Sequence, residues 1–220
     1  TAGELAETYK QFSESSGRQN VLGSEDLKSM MEFRMATGLA ASEVSGLYER
    51  FTLMGVSIDR SHKLLNELTN SSNKLGINST KVLKVLSNNM DSMQRMSFRG
   101  GVKGMTEMAQ LAVRMRMDVS DMLGMAQKFY EPEAAIEAAA QLQLMGGDIA
   151  QAFGDPFETM YLARNKPEEL AKKLQTMTEN MIDFNEVTGQ YEIPAEARQQ
   201  LEFTAKQLGV NSDKMIDLAF

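Results

Sequence analysis

The sequence predicts an all-α protein: a multi-helix array of short antiparallel helices joined by glycine-capped turns, with at most one small β-hairpin near 184–193. Three observations lead there. A phrase that ends one helix and opens the next recurs along the chain. Apolar residues repeat at spacings of three and four, the period of one helix face. The alternation expected of half-buried strands is nearly absent.

The clearest copy of the phrase is Leu208-Gly209-Val210-Asn211-Ser212-Asp213. Gly209 can adopt the left-handed backbone that closes a helix. Val210 can fold back over the junction. Asn211 or Ser212 offers a side-chain oxygen to the free N–H groups of the next helix, and Asp213 suits its positive end.

Composition bounds the rest. With 42% hydrophobic and 24% charged residues the chain reads as an ordinary folded protein. A formal net charge of -7 argues against general coating of nucleic acid, which needs a basic surplus. There is no Cys, which excludes disulfides, thiolate metal sites and cysteine nucleophiles. The single His, His62, would need an all-carboxylate remainder to complete a zinc site. Methionine is over-used, at 18 residues, and its flexible thioether suits either a helical core or an adaptable contact surface. No run of about 18 apolar residues offers a membrane span. The chain opens on Thr1 without a signal-peptide pattern, so the sequence reads as a segment of a longer polypeptide.

In order, three regions are expected: a polar N-terminal segment over 1–23, an N-terminal helical array over 24–99, and a C-terminal helical bundle over 100–220. In the first, Glu4 to Phe12 can form a short helix that Ser13-Glu14-Ser15-Ser16-Gly17 breaks. Glu14-Ser15 before Gly17 faintly resembles the general-acid motif of lytic transglycosylases. The glycine-rich and aromatic context of those enzymes is missing, and a polar linker is the simpler reading.

Ser24-Glu25-Asp26 opens a helix with Leu27, Met30, Met31 and Arg34 on one face, and Gly38 ends it. Ala41-Ser42-Glu43 starts the next, through Val44, Leu47, Tyr48 and Phe51. Gly55-Val56-Ser57 and Gly76-Ile77-Asn78-Ser79 repeat the junction before Leu64, Leu65 and Leu68, and before Val82, Leu83, Leu86 and Met90. Glycines 38, 55 and 76 stand 17 and 21 residues apart, which fits one helix and one turn per unit but is too irregular for a solenoid.

Phe98-Arg99-Gly100-Gly101-Val102-Lys103-Gly104 is the main break. It lacks the spacing of a phosphate-binding loop and no strand precedes it, so it reads as a hinge. Arg95, Arg99, Lys103, Arg114 and Arg116 make this region locally basic. Beyond it Met105, Met108, Ala112 and Met115 form an amphipathic face. Arg116-Met117-Asp118 is a junction with Arg where Gly would sit. Pro132 opens an alanine-rich helix, and Gly146-Gly147 and Gly154-Asp155-Pro156 punctuate a compact connection after it. Pro167 opens what reads as the longest helix, with a seam of Leu170, Leu174, Met177, Met181 and Phe184 that suits bundle packing. Val187-Thr188-Gly189-Gln190-Tyr191 is the one hairpin-like turn, and Pro194 starts the last long helix.

No catalytic constellation emerges. The carboxylates are scattered along helical faces and His62 has no evident charge-relay partner in the sequence. The expectation is a non-enzyme with no catalytic, metal-binding or cofactor-binding residues and no specific small-molecule ligand. The candidate partner-contact faces are Met105, Met108 and Met115, and Leu174, Met177 and Met181. At least one of them is expected to be shared with another copy or a neighbouring protein.

Taken in order, these elements resemble phage tail tape-measure proteins over about residues 24–220. The resemblance rests on the repeated Leu-Gly-Val-Asn/Ser junction and on Ala138-Ala139-Ala140-Gln141-Leu142-Gln143-Leu144-Met145-Gly146-Gly147 followed by Asp155-Pro156-Phe157. It rests also on Phe184-Asn185-Glu186-Val187-Thr188-Gly189 leading into Arg198-Gln199-Gln200-Leu201. It implies a structural virion protein, assembled in the host cytoplasm, that sets tail length and leaves ahead of DNA. It also implies partners: other copies of itself, often as a trimer, and proteins of the tail tube or of the tip and baseplate. This stretch carries neither a hydrophobic span nor a hydrolase site, so the membrane-inserting and peptidoglycan-cleaving roles of some members are not carried over. An internal or ejected cargo protein of a phage capsid or tail, and a helical adaptor unrelated to phage, remain open alternatives.

Overall fold

Helix junctions of one geometry set the architecture. In the computed structural model, which describes residues 2–16 and 22–217, they link thirteen helices and one two-stranded sheet among the described residues. The chain divides into two compact units, Thr1–Met90 and Asp91–Phe220.

The first unit holds α1 (Ala2–Ser16), α2 (Ser24–Thr37), α3 (Ala41–Leu53), α4 (Ile58–Lys74) and most of α5 (Ser79–Gln94). The division falls inside α5, not at the glycine-rich 98–104 stretch that the sequence marks as the main break. Nor does the N-terminal segment stand apart: α1 packs against α2 and α3, with Thr8 and Phe12 buried. It stays helical through Ser16, past the expected break; Gly17 lies outside the described residues. Glu14 therefore sits on a helix surface, 3.7 Å from Lys10 one turn back. The core gathers Met30, Phe33, Leu47, Tyr48, Phe51 and Leu65, all almost fully buried. α5 is tied to its neighbours by polar contacts: the Thr80 hydroxyl donates to the Thr37 carbonyl at 2.9 Å, and Lys84 pairs with Glu43 at 3.3 Å.

The second unit holds α6 (Val102–Arg114), α7 (Val119–Lys128), α8 (Pro132–Met145), α9 (Gly147–Phe153), α10 (Pro156–Asn165) and α11 (Pro167–Glu179). The strands β1 (Asp183–Asn185) and β2 (Gln190–Glu192) come next, then α12 (Ala195–Leu208) and α13 (Ser212–Asp217). Proline opens α8, α10 and α11, where its missing N–H costs nothing. Asp155 caps α10 by accepting from the N–H groups of Phe157 and Glu158 at 2.9 and 3.1 Å. The 98–104 stretch is pinned rather than free: the Arg99 N–H donates to the Asn165 carbonyl at 2.7 Å, and Gly101 turns the chain at φ 58°.

The seam from Leu170 is shorter than its spacing suggests. α11 stops at Glu179, Met181 is half-buried in the turn beyond it, and Phe184 lies on β1. Among the described residues the longest helix is α4, with 17 residues, not α11 with 13. The hairpin is where the turn residues place it. It pairs Phe184 with Tyr191 in an antiparallel ladder, turns at Gly189 with φ 67°, and uses the Asn185 side chain to accept from the Val187 N–H at 2.8 Å.

Four junctions share one pattern of hydrogen bonds. The N–H groups of Val56, Ile77, Met117 and Val210 donate to the carbonyls of Phe51, Ser72, Ala112 and Ala205 at 2.9–3.0 Å. The preceding residues, Gly55, Gly76, Arg116 and Gly209, bond to Thr52, Asn73, Val113 and Lys206. This is the Schellman closure, and it needs a left-handed residue at its centre. The three glycines have φ of 80°, 69° and 70°, and Gly38, in a simpler closure, has 67°. Arg116 occupies the same region at φ 51°, the one described residue other than glycine with positive φ. The next helix is then capped by Ser57, Asn78 or Asn211, each accepting a backbone N–H at 2.9–3.3 Å.

Replacing Gly209 by Val should cost on the order of 2 kcal/mol, because a β-branched residue is strained at positive φ. An added Cβ there would also stand 2.5 Å from the Lys128 Cε. Arg116→Gly should instead stabilise the protein by up to about 1 kcal/mol by relieving the same strain. Urea midpoints of the two variants test the pair; a neutral Gly209→Val would refute the account of the junction.

Candidate functional site

The two methionine faces that the sequence offers as partner contacts are consumed inside the second unit. Met105, Met108, Met115, Leu174 and Met177 are 5%, 0%, 4%, 0% and 2% exposed, and Met181 is half-buried. α6 and α11, which carry these faces, pack on one another. The physical reason is direct: burying each large apolar side chain is worth about 1.5–3 kcal/mol, and closure within one chain secures this at any concentration.

Two of the five cations in the locally basic set pair with carboxylates. Arg114 lies 3.4 Å from Glu179, Lys103 lies 4.0 Å from Glu107, and Arg99 bonds the Tyr161 hydroxyl. At the junction where Arg116 replaces glycine, Asp118 does not cap its helix through its side chain. It pairs with Lys214 of α13, which also meets Asp121 at 2.7 Å. Hydrogen bonds that the Lys214 ammonium donates to these two carboxylates hold it well above its ordinary pKa.

Three side-chain groups have site-like geometry. The first is in the first unit, where α3 and α4 bring Tyr48 and His62 together. The Tyr48 hydroxyl is 2.8 Å from His62 Nδ1, and Asn66, one turn along α4, is 2.9 Å from Nε2. Phe33 of α2 meets the Tyr48 ring edge-on at 6.1 Å. Burial pushes the Tyr48 phenol well above its usual range. A tyrosine and an amide hold the imidazole on both sides, without the carboxylate that a charge relay requires. The i, i+4 spacing of His62 and Asn66 is a signal that could have found this contact; Tyr48, fourteen residues away across a turn, stands at no such spacing.

The second is Glu168, in the first turn of α11. Its side chain is buried, and its Oε2 has no hydrogen-bond partner. It packs beside Gly104 of α6, where an added Cβ would stand 3.1 Å from Oε1 and 3.0 Å from the Phe98 ring. Burial raises its pKa above the ordinary 4.5, and the nearby Glu107 and Glu169 add to the effect while Lys172 opposes it. Lys172 bridges Glu169 and Glu107 at 3.0 and 3.3 Å; burial works against its charge, but the two carboxylates prevail and raise its pKa.

The third is an open groove of about 440 Å³ beside α9 and α11, lined by Asp148, Gln151, Lys172, Lys173, Met177 and Asn180 among others. Its size would admit a small ligand. Its lysines, however, already bridge carboxylates: Lys173 meets Glu158 at 2.7 Å, and Lys172 is paired as described. Among the described residues no three His, Asp or Glu side chains are grouped to hold a metal ion. No described helix is long and apolar enough to cross a membrane. Comparison with protein-family models, curated proteins and solved structures finds no match to this chain.

Tyr48→Phe should cost about 0.5–1.5 kcal/mol, the worth of one hydrogen bond whose partner can still reach solvent. Chemical denaturation would measure it. Glu168 should oppose folding when ionised, because its folded pKa is the higher one. Its penalty is absent well below pH 4.5 and grows as the pH rises through and above that value. Glu168→Gln should therefore raise the melting temperature at pH 8 and match the parent near pH 3. An equal gap at both pH values would show that ionisation is not the cause.

Proposed function

We propose that this chain is a segment of a phage tail tape-measure protein: a structural virion component that sets tail length and contacts the tail tube or tip during assembly and DNA ejection. The observation that carries this reading is the ordered series of sequence elements. The Gly55, Gly76 and Gly209 junctions, the 138–147 alanine-rich run with Asp155-Pro156-Phe157, and the 184–189 turn ahead of Arg198-Gln199-Gln200-Leu201 come in the order expected of that family. The helical architecture is compatible with such a role. Each of those elements forms a defined piece of local structure, namely the Schellman closures, α8 with the capped start of α10, and the hairpin before α12.

In this role the chain works through surfaces and not through a reaction. Its partners are further copies of itself and proteins of the tail tube, tip or baseplate, met in the virion after assembly in the host cytoplasm. The faces buried by α6 and α11 serve the chain's own fold. Contact with those partners falls to the side chains the fold leaves outside, among them Leu144, Phe157, Phe184, Val187 and Tyr191.

Fractionating particles that carry this chain into heads and tails, and then identifying peptides by mass spectrometry, tests the proposal. Peptides from residues 24–217 should be found with the tails and be absent from tail-free heads. Recovery with the heads would overturn it in favour of an ejected internal protein, and recovery with neither would remove the virion role.

A further inference from the structure

The buried carboxyl of Glu168 lies against the segment that leads into α6. Gly104, in the first turn of α6, lets two groups close in on it: a Cβ there would stand 3.0 Å from the Phe98 ring and 3.1 Å from Glu168 Oε1. Glu168 is 4% exposed, and its Oε2 is buried without a hydrogen-bond partner. Phe98 is half-buried. Its segment is tied to α10 by the Arg99 N–H on the Asn165 carbonyl and by the Arg99 guanidinium on the Tyr161 hydroxyl. Gly100 and Gly101 give the segment the backbone freedom to swing.

The charges around Glu168 divide. Its own N–H at the helix start and Lys172 favour the anion, and Lys166 stands just ahead in sequence. Burial, Glu107 and Glu169 oppose the anion; burial is the largest effect, and the balance raises the carboxyl's pKa. The lysines of α6 and α11 are committed to other carboxylates: Lys172 bridges Glu169 and Glu107, and Lys103 lies 4.0 Å from Glu107. The other elements packed on α11 also spend their charges elsewhere. On α10, Arg164 donates to the Tyr130 carbonyl at 2.9 Å and Glu158 pairs with Lys173. On α9, Asp148 accepts from Asn180 at the far end of α11, and on α7, Asp121 pairs with Lys214.

We propose that Glu168 makes the 98–104 segment a pH-dependent flap, closed over the protonated carboxyl and released when the carboxylate forms. An ionised oxygen under Phe98 has neither solvent nor a donor, and swinging the segment outward lets water reach it. The carboxyl has an ordinary pKa when the flap is open and a raised one when it is closed. Closure is therefore favoured below about pH 4.5, weakens as the pH rises through the closed-state value, and levels off above it. The Lys172 bridges respond in the opposite sense. They join α6 to α11 and are lost on acidification, so they would loosen this region at low pH. The direction of the response separates the two causes. The proposal does not depend on the tail reading.

Hydrogen exchange followed at single amides reads the flap directly. Compared at one pH, so that the intrinsic rate cancels, the Arg99 amide should exchange at least about threefold faster in the parent than in Glu168→Gln at pH 8. Near pH 4 the two chains should agree. In the parent this amide should also be at least about tenfold less protected than the slowest amides of α12, the mark of a local opening. The chain has no Trp, so Phe98→Trp adds a single fluorophore. Its quenching by acrylamide should rise between pH 4 and pH 8 and stay flat once Glu168→Gln is added. Should Glu168→Gln fail to fold, Glu107→Gln serves instead: removing that neighbouring charge should shrink the response. Arg99 protection that does not change with pH, a response that reverses in sign or survives Glu168→Gln, or exchange only as slow as that of α12 would each overturn the proposal.

Discussion

The left-handed residue at the centre of each Schellman closure is the constraint on which the rest of this structure depends. The helices run from 6 to 17 residues, a range in which an isolated helix is marginal in water or barely forms. Such segments persist only if each is ended cheaply and turned so that its apolar face meets a neighbour. The closure does both. It satisfies carbonyls that the helix end leaves open, and it delivers the chain within two residues to a side chain that caps the next helix. The apolar residue after the turn closes the hydrophobic side: Met117 and Val210 are buried, and Val56 and Ile77 are partly so.

Arg116 shows that geometry, not glycine itself, is what the junction demands. Its φ of 51° places a long cationic side chain where the other three closures have glycine, and the N–H bond to Val113 stretches to 3.4 Å. This junction also lacks a side-chain cap, since Asp118 is engaged by Lys214. The local penalties are offset by tertiary structure. Lys214 belongs to α13, which itself begins at the Gly209 closure, so one junction's uncapped aspartate becomes the anchor of another's helix. Local rules were relaxed at one site and the loss was taken up by a contact 96 residues away.

How much of the structure was legible in the sequence depends on the range of the physics involved. Turns, caps and proline starts depend on a few adjacent residues, so Gly38, Gly55, Gly76, Gly209, Pro132 and the 187–191 turn were all readable. The all-helical class came with them. Element ends that depend on competition between local choices were less so. The apolar spacing from Leu170 through Phe184 fits one long helix, but Phe184 instead pairs with Tyr191, at 5.2 Å ring to ring, and α11 ends early. Periodicity also identified the Met105–Met115 and Leu174–Met177 faces without saying what they face. An amphipathic pattern reports that a side must be buried, not whether its cover comes from the same chain. The Tyr48–His62 contact and the buried Glu168 beside Gly104 join separate helices, and no spacing rule reaches them.

That distinction bears on where contacts of this protein can lie. A helix apolar on one side is satisfied by folding, as α6 and α11 are by each other. α8 differs: packing Ala135, Ala139 and Leu142 still leaves Ile136 and Leu144 in water, beside the exposed Glu133, Glu137 and Gln143. The hairpin is a second case: two strands alone are marginal, yet this one exposes Phe184, Val187 and Tyr191 and has three carboxylates, Asp183, Glu186 and Glu192, with no cation between residues 182 and 193. Like charges at that density disfavour pairing the hairpin with a copy of itself. The same like-charge argument reaches α8, whose exposed Glu133 and Glu137 share the helix with no Lys or Arg.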